Sequence, residues 1–193
     1  MARMNGFSRW LINRRTVARA DRVLREVSGS LSLPDNAHLL ELGMGGGGLV
    51  ALVTERHHPA LYVGTDVDPE QVRSAREFLR ARFGTLPSTA LLSEVDALKL
   101  PFKDQSFDGV FALMSLHHVE RHHGEFVQQP TAVREIRRVL RPGGWLVYKD
   151  FSRGGRLRRT IEDLGFRRVA LRSHARTETG LYRSTEPEIR TEA

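Results

Sequence analysis

The chain has 193 residues, no cysteine, and a formal net charge of +7 from 30 lysines and arginines against 23 aspartates and glutamates. This length fits one domain of roughly 100–200 residues, and the lack of cysteine excludes disulfides, cysteine-ligated metal centres and a thiolate nucleophile. No apolar run approaches the ~20 residues of a membrane span, and the first residues lack the apolar segment of a secretory signal. A cytoplasmic location is therefore expected.

The positive charge is concentrated at the two ends of the chain. Residues 1–38 carry seven arginines and three acids, and residues 151–193 carry ten arginines and six acids, whereas residues 39–150 are nearly neutral. Two interpretations stay open: solvated faces, or a docking surface for an acidic substrate, RNA or anionic lipid headgroups. Few aromatic residues accompany these arginines to stack on bases, so nucleic acid is not the favoured partner.

The first predicted element is an amphipathic helix over residues 8–28, where apolar residues recur at helical spacing and arginines fill much of the rest. After it, short apolar runs typical of buried strands alternate with helical stretches. We predict strands at 38–42, 61–65, 89–95, 107–113 and 145–150, and helices at 48–57, 69–83 and 127–140. A helix at 156–164 and strands at 167–172 and 181–184 continue the pattern weakly. This alternation predicts β-α-β crossovers and a parallel sheet with helices on both faces.

A glycine-rich loop follows the first predicted strand. Gly43, Gly45 and Gly48 match the dinucleotide pattern G-x-G-x-x-G, and Asp66 stands about 20 residues further on, where an acid would hold a ribose. A nicotinamide-dependent dehydrogenase is thus one alternative, although no Tyr-x-x-x-Lys pair or comparable signature follows. A tight turn that binds nothing is another. A P-loop is excluded because no Gly-Lys-Ser/Thr follows.

Two acids favour a different nucleoside ligand. Glu41 lies two residues before the first glycine, where a carboxylate at the pocket mouth would attract an ammonium group and repel a pyrophosphate. Asp96 follows the third predicted strand, where a carboxylate can accept a hydrogen bond from the exocyclic amine of adenine. Together they indicate a ligand that carries both adenine and an ammonium group.

These segments resemble the class I S-adenosylmethionine-dependent methyltransferases, in particular their small-molecule branch. The similar segments are ELGMGGG at 41–47, VGTDVDPE at 63–70, EVDALKLPFKDQSFDGVFALMSLHHV at 94–119 and REIRRVLRPGGWLVYKD at 134–150. The resemblance implies a Rossmann-like, doubly wound α/β fold with a seven-stranded sheet, mostly parallel with the last strand antiparallel. We expect one methyltransferase domain over 1–193, with a helix and linker at 1–37, a cofactor-binding core at 38–150 and completion of the sheet at 151–193.

The resemblance also implies S-adenosylmethionine as the cofactor and S-adenosylhomocysteine as the product. The residues that it implies around the cofactor are Glu41, Gly43, Gly45 and Gly47 at the methionine moiety, Asp66 and Val67 at the ribose and adenine, Asp96 and Ala97 at the adenine, and Leu113 and Met114 near the sulfonium.

His117 and His118 follow the fourth predicted strand and are the candidate catalytic side chains. An imidazole titrates near neutral pH, and a base is required where the accepting atom must lose a proton. A structural role for His117 is the alternative. His122 and His123 are expected in a solvated loop, and no metal is expected, although histidines at this spacing can converge on one.

The nature of the acceptor follows from what the chain lacks. Residues 112–115 (ALMS) are apolar where amino-group methyltransferases carry Asn/Asp-Pro-Pro-Tyr, which favours methylation of a small or lipid-like acceptor at carbon or oxygen. The alternatives are an RNA or protein methyltransferase that docks through the arginine-rich ends, or a non-catalytic regulatory module that binds the cofactor.

Only about 16 residues separate Asp150 from the strand at Arg167, so a substrate lid must come from the N-terminal helix, a second subunit of a homodimer, or a large substrate.

Overall fold

The computed structural model describes residues 6–119 and 128–185, with side chains from residue 16 onward except that of Arg153. Its helices are α1 Gly6–Val27, α2 Gly48–His57, α3 Pro69–Phe83, α4 Gln128–Val139 and α5 Arg156–Asp163, with a 3₁₀ turn at Arg153–Gly155. Its strands are β1 His38–Leu42, β2 Leu61–Asp66, β3 Ala90–Glu94, β4 Phe107–Leu113, β5 Leu140–Phe151, β6 Phe166–Ser173 and β7 Thr177–Ser184. Within these ranges no helix is long and apolar enough to cross a bilayer.

The strands form one seven-stranded sheet in the order β3-β2-β1-β4-β5-β7-β6. Neighbouring strands from β3 to β5 are parallel, and β7 runs antiparallel to both β5 and β6. The predicted doubly wound sheet with an antiparallel last strand is therefore confirmed. The order of the strands reverses at β1, which lies between β2 and β4, and ligands bind beyond the carboxyl ends of the strands at such a point.

Apolar side chains cover both faces of the sheet. On one face, α1, α2 and α3 bury residues such as Val23, Val53 and Leu79 against the strands. On the other face, α4 and α5 bury residues such as Ile136 and Ile161. The prediction of helices on both faces is confirmed, and the two apolar layers fix the strand ends that build the site.

Helix α3 shows how local sequence sets an element. The Asp68 side chain accepts a hydrogen bond from the backbone N–H of Glu70 over 2.9 Å, and Pro69 occupies the first turn. Both features are typical of helix N-termini. Gly84 follows the last turn with a φ of 80°, a backbone conformation that favours glycine. The predicted range 69–83 is confirmed.

The predicted bounds differ from the observed ones toward the end of the chain. Strand β5 begins at Leu140 rather than at 145, because Leu140 pairs with Phe107 before the register shifts around the Pro-Gly-Gly turn. Strand β7 begins at Thr177 rather than at 181, because β5 and β6 pair with it on both sides. Pairing with neighbouring strands of the sheet extends these elements beyond their apolar segments.

Candidate functional site

A cavity of about 670 Å³ opens at the carboxyl ends of β1, β2, β3 and β4. It lies where the strand order reverses, and its volume falls within the ~300–1,000 Å³ of ordinary small-molecule sites. The segments that follow each of these strands contribute to the wall, and so does helix α1. The sheet therefore offers one ligand site at the position expected for its topology.

Most of the residues predicted to bind the cofactor lie on this wall. They are Glu41, Gly43, Gly45, Asp66, Val67, Asp96, Ala97, Leu113 and Met114. Gly47 does not line the cavity: it is the residue that precedes α2, and a Cβ placed on it would face Ala75 of α3 at 3.1 Å. The fold thus gathers the predicted set around one cavity, with Gly47 in the supporting turn.

The glycine loop adopts a conformation that side chains would prevent. Gly43 has a φ of 68°, and a Cβ placed on it would collide with the side chain of Ser115. Glycine tolerates this region because it has no Cβ. The bare backbone can consequently approach a ligand closely.

Two carboxylates on the wall are oriented by backbone amides. Asp66 Oδ2 accepts a hydrogen bond from the N–H of Gly45 over 2.9 Å, and its Oδ1 accepts from the N–H of Asp68 over 3.1 Å. Asp96 Oδ1 accepts from the N–H of Leu98 over 2.9 Å. An ionised carboxylate has about four lone-pair positions, so each retains capacity for a ligand's hydroxyl or amine.

Glu41 is less charged than its sequence context indicates. The residue is 3% exposed, and its side chain accepts a hydrogen bond from the Tyr62 hydroxyl over 2.9 Å. Burial raises the pKa of Glu41 to about 8; the Tyr62 hydrogen bond opposes this rise, and the charge of Asp66 adds to it. At neutral pH the carboxyl is largely protonated until a cation approaches. The predicted repulsion of a pyrophosphate is correspondingly weaker.

The two candidate catalytic histidines differ in position. His118 lies on the cavity wall, whereas His117 does not line the cavity and is buried behind it. The two rings lie 3.9 Å apart between centroids. Asp150 holds His117: its Oδ2 accepts a hydrogen bond from the backbone N–H over 3.1 Å, and its Oδ1 lies 2.8 Å from Nδ1 of the ring. His122 and His123 lie outside the described residues.

Some cavity residues were missed by sequence reasoning. Thr16, Arg19 and Ala20 of α1 line one side of the cavity. Of the three predicted sources of a substrate lid, the structure therefore places the N-terminal helix at the cavity. Ser115 and Gln128 also line it, and within the described residues Ser115 Oγ and Gln128 Oε1 are buried without a hydrogen-bond partner. The amphipathic pattern predicted α1 but not which of its turns meets the glycine loop, because that contact joins distant segments.

Part of the positive charge at the chain ends serves internal contacts. Arg25 pairs with Asp21, and the Arg183 guanidinium carbon lies 3.5 Å from the centroid of the Trp145 ring. Arg172 on the edge strand β6 is exposed. Docking through these ends stays a prediction.

Known proteins resemble this chain over the core that contains the cavity. Residues 40–148 match the family model described as a methyltransferase domain. An O-methyltransferase, resE, from Aspergillus sclerotiorum is 33% identical over 132 residues, which cover 67% of this chain and 46% of that protein. A 27-O-demethylrifamycin SV methyltransferase from Amycolatopsis mediterranei is 34% identical over 131 residues, which cover 67% of this chain and 44% of that protein. The ubiquinone/menaquinone biosynthesis C-methyltransferase UbiE from Bordetella avium is 34% identical over 129 residues, which cover 65% of this chain and 45% of that protein. The aligned part of the chain spans slightly less than half the length of these relatives.

Solved structures share the whole fold. The [4+2]-cyclase SpnF superposes with a TM-score of 0.71 at 21% identity, covering 91% of this chain and 82% of that one. A SAM-dependent methyltransferase from Aquifex aeolicus superposes with a TM-score of 0.71 at 16% identity, covering 94% of this chain and 99% of that one. At these identities the likeness establishes the fold alone, and one fold hosts several chemistries.

Proposed function

The chain belongs to the class I methyltransferase domain family, and on that premise we propose that it transfers a methyl group from S-adenosylmethionine to carbon or oxygen of a small or lipid-like acceptor. The observation that carries the proposal is that Glu41, Asp66, Asp96 and the glycine loop surround one cavity. Bound S-adenosylmethionine supplies a methyl group that its positive sulfur already activates. The relatives named for O- and C-methylation of small molecules support this class of acceptor.

The wall suits the nucleoside half of this cofactor. Asp66 is fixed by two backbone amides and retains lone pairs for the two hydroxyls of a ribose. Val67 is 59% exposed on the wall, and a flat adenine ring laid on it would remove that apolar surface from water. Asp96 lies on the same wall and can accept a hydrogen bond from the adenine amine.

The acceptor side of the cavity is largely apolar. Leu113 and Met114 line it and are partly exposed, so a carbon-rich acceptor would bury apolar surface on binding. Methyl transfer from an activated donor depends mainly on proximity and alignment, and a base is needed only where the accepting atom carries a proton. We assign that base to His118, with His117 as a positioning residue behind it.

Titration calorimetry with S-adenosylmethionine tests the proposal. We expect micromolar binding by the unchanged protein, and about tenfold or greater weakening in Asp66→Asn, because hydrogen bonds to a charged group are worth roughly 1.5–3 kcal/mol. Asp35→Asn, at an exposed turn, is the matched control and should bind as the unchanged protein does. Absence of binding by the unchanged protein would refute the proposal.

A second experiment separates the histidines. With a radiolabelled methyl donor and a panel of phenols, carboxylic acids and lipids, His118→Gln should lose transfer to hydroxyl acceptors while retaining donor binding. His117→Gln should lower the melting temperature, because it disturbs a buried contact with Asp150. Donor binding without transfer to any acceptor would favour the non-catalytic regulatory module. Full transfer by His118→Gln would remove the assignment of a base.

A further inference from the structure

We propose that Arg19 of α1 binds the α-carboxylate of S-adenosylmethionine, an assignment that rests on the proposed function. The starting observation is the charge on the cavity wall. Among the described residues that line the cavity, the acids are Glu41, Asp66, Asp68 and Asp96, and Arg19 is the one guanidinium or ammonium group. The amino-acid end of the cofactor carries a carboxylate, which requires a positive partner in such surroundings.

Helix α1 lies directly against the start of α2. A Cβ placed on Gly48, the first residue of α2, would lie 2.7 Å from the carbonyl carbon of Thr16 and 2.7 Å from the amide nitrogen of Val17. Only glycine permits two backbones to approach this closely. Arg19 follows Thr16 by three positions and therefore shares its face of the helix. The turn of α1 that carries Arg19 thus lies beside the end of the glycine loop.

Arg19 is also free to bind a ligand. Its side chain is exposed, and within the described residues no hydrogen bond or ion pair involves it. Asp21, two positions further along α1, is already paired with Arg25 and Arg56. A guanidinium presents a planar fork of donors that matches a carboxylate.

The N-terminus of α2 adds to the same site. Gly48 and Leu49 line the cavity, and no side chain caps this ten-residue helix. The first N–H groups of a helix carry partial positive charge and favour an anion. Glu41, which precedes the loop, lines the same cavity and suits the ammonium group. The two charges of the cofactor's amino-acid end therefore meet complementary partners.

The test compares S-adenosylmethionine with decarboxylated S-adenosylmethionine, which keeps the sulfonium and the amine but lacks the carboxylate. By titration calorimetry, Arg19→Gln should weaken binding of S-adenosylmethionine about tenfold or more. The same variant should bind the decarboxylated compound as tightly as the unchanged protein, or slightly more tightly, because a positive charge near its cationic groups is removed. Arg19→Lys should retain part of the affinity for S-adenosylmethionine.

Arg22→Gln is the matched control, since Arg22 is exposed on the same helix but does not line the cavity. Equal weakening for both compounds, or none for S-adenosylmethionine, would overturn the assignment of Arg19 while leaving the proposed function intact. Absence of binding by the unchanged protein would instead refute the proposed function, and this assignment with it.

Discussion

The buried Glu41 provides the sharpest prediction. Its pKa is raised to about 8 in the folded protein, against 4.5 for an ordinary glutamate. A carboxyl whose pKa is raised on folding contributes its full stability to the folded protein below the unfolded-state pKa. This contribution is lost progressively as the pH rises to the folded-state pKa. Between pH 4.5 and 8 the ligand-free protein should therefore lose stability steadily, and this group adds no further loss above pH 8.

The variant Glu41→Gln removes this dependence, because a neutral amide oxygen can still accept the Tyr62 hydrogen bond. At pH 7 the difference between the folded-state and unfolded-state pKa values lowers the free energy of unfolding of the unchanged protein by roughly 3 kcal/mol. A domain of this size gains about 2–4 °C per kcal/mol, so we expect the variant to melt ~6–12 °C above the unchanged protein at pH 7. The two proteins should melt at similar temperatures near pH 4.5, where the glutamate is protonated in the folded state and about half protonated in the unfolded state, which leaves a difference below about 0.5 kcal/mol.

The same substitution should weaken cofactor binding, since an ionised carboxylate attracts the ammonium group of S-adenosylmethionine. Only about a tenth of Glu41 is ionised at pH 7 and about half at pH 8, so binding by the unchanged protein should strengthen by up to about fivefold from pH 7 to pH 8, relative to the variant. Above pH 8 the ligand's amine, with an ordinary pKa of ~7.7–8.0, loses its charge and this gain falls away. Thermal melts and calorimetry from pH 4.5 to 9 measure both effects. Equal melting temperatures at pH 8, or a constant difference at all pH values, would refute the reasoning.

Two further substitutions test how α1 packs against the rest of the fold. Gly48→Ala forces a Cβ against the backbone of α1, so it should lower the free energy of unfolding by about 1–3 kcal/mol and weaken cofactor binding. In Gly29→Ala, the control, the new Cβ meets no atom within 4 Å and stability should hardly change. Equal melting temperatures for the two variants would contradict the close approach. Glu26→Gln removes the charge that lies 3.5 Å from the buried Lys149 ammonium and should cost about 2 kcal/mol by chemical denaturation. Glu55→Gln, in an exposed pair, should cost less than about 1 kcal/mol, and an equal loss in both would show that burial of the lysine is unimportant.

Elements with short-range signals were predictable from the sequence. Helix α3 begins after Asp68 and Pro69 and ends before Gly84, and these residues act on the turns next to them. The apolar run at 107–113 likewise corresponds to β4. The glycine loop was predictable for the same reason, because left-handed backbone angles select glycine wherever they occur.

Pairing between strands lengthens β7 beyond the range that the sequence predicts. The first residues of β7 are polar, yet Glu178 is buried there and accepts a hydrogen bond from the Tyr148 hydroxyl over 2.7 Å. The strand is extended because β5 and β6 satisfy its backbone on both sides. Tyr148 of β5 lies 30 residues before Glu178, so a window of sequence around residue 178 does not contain this partner strand.

The sequence by itself indicated the family, the sheet and nine of the residues that line the cavity, since these depend on local backbone preferences and on motifs at fixed spacing. Only the tertiary structure decided the protonation of Glu41, which depends on burial and on Tyr62, 21 residues away. It also decided that His118 rather than His117 lines the cavity and that Arg19 of α1 belongs to the same wall. Charge and exposure are set by groups that are distant in the chain, so they become defined only once the helices and the sheet have packed together.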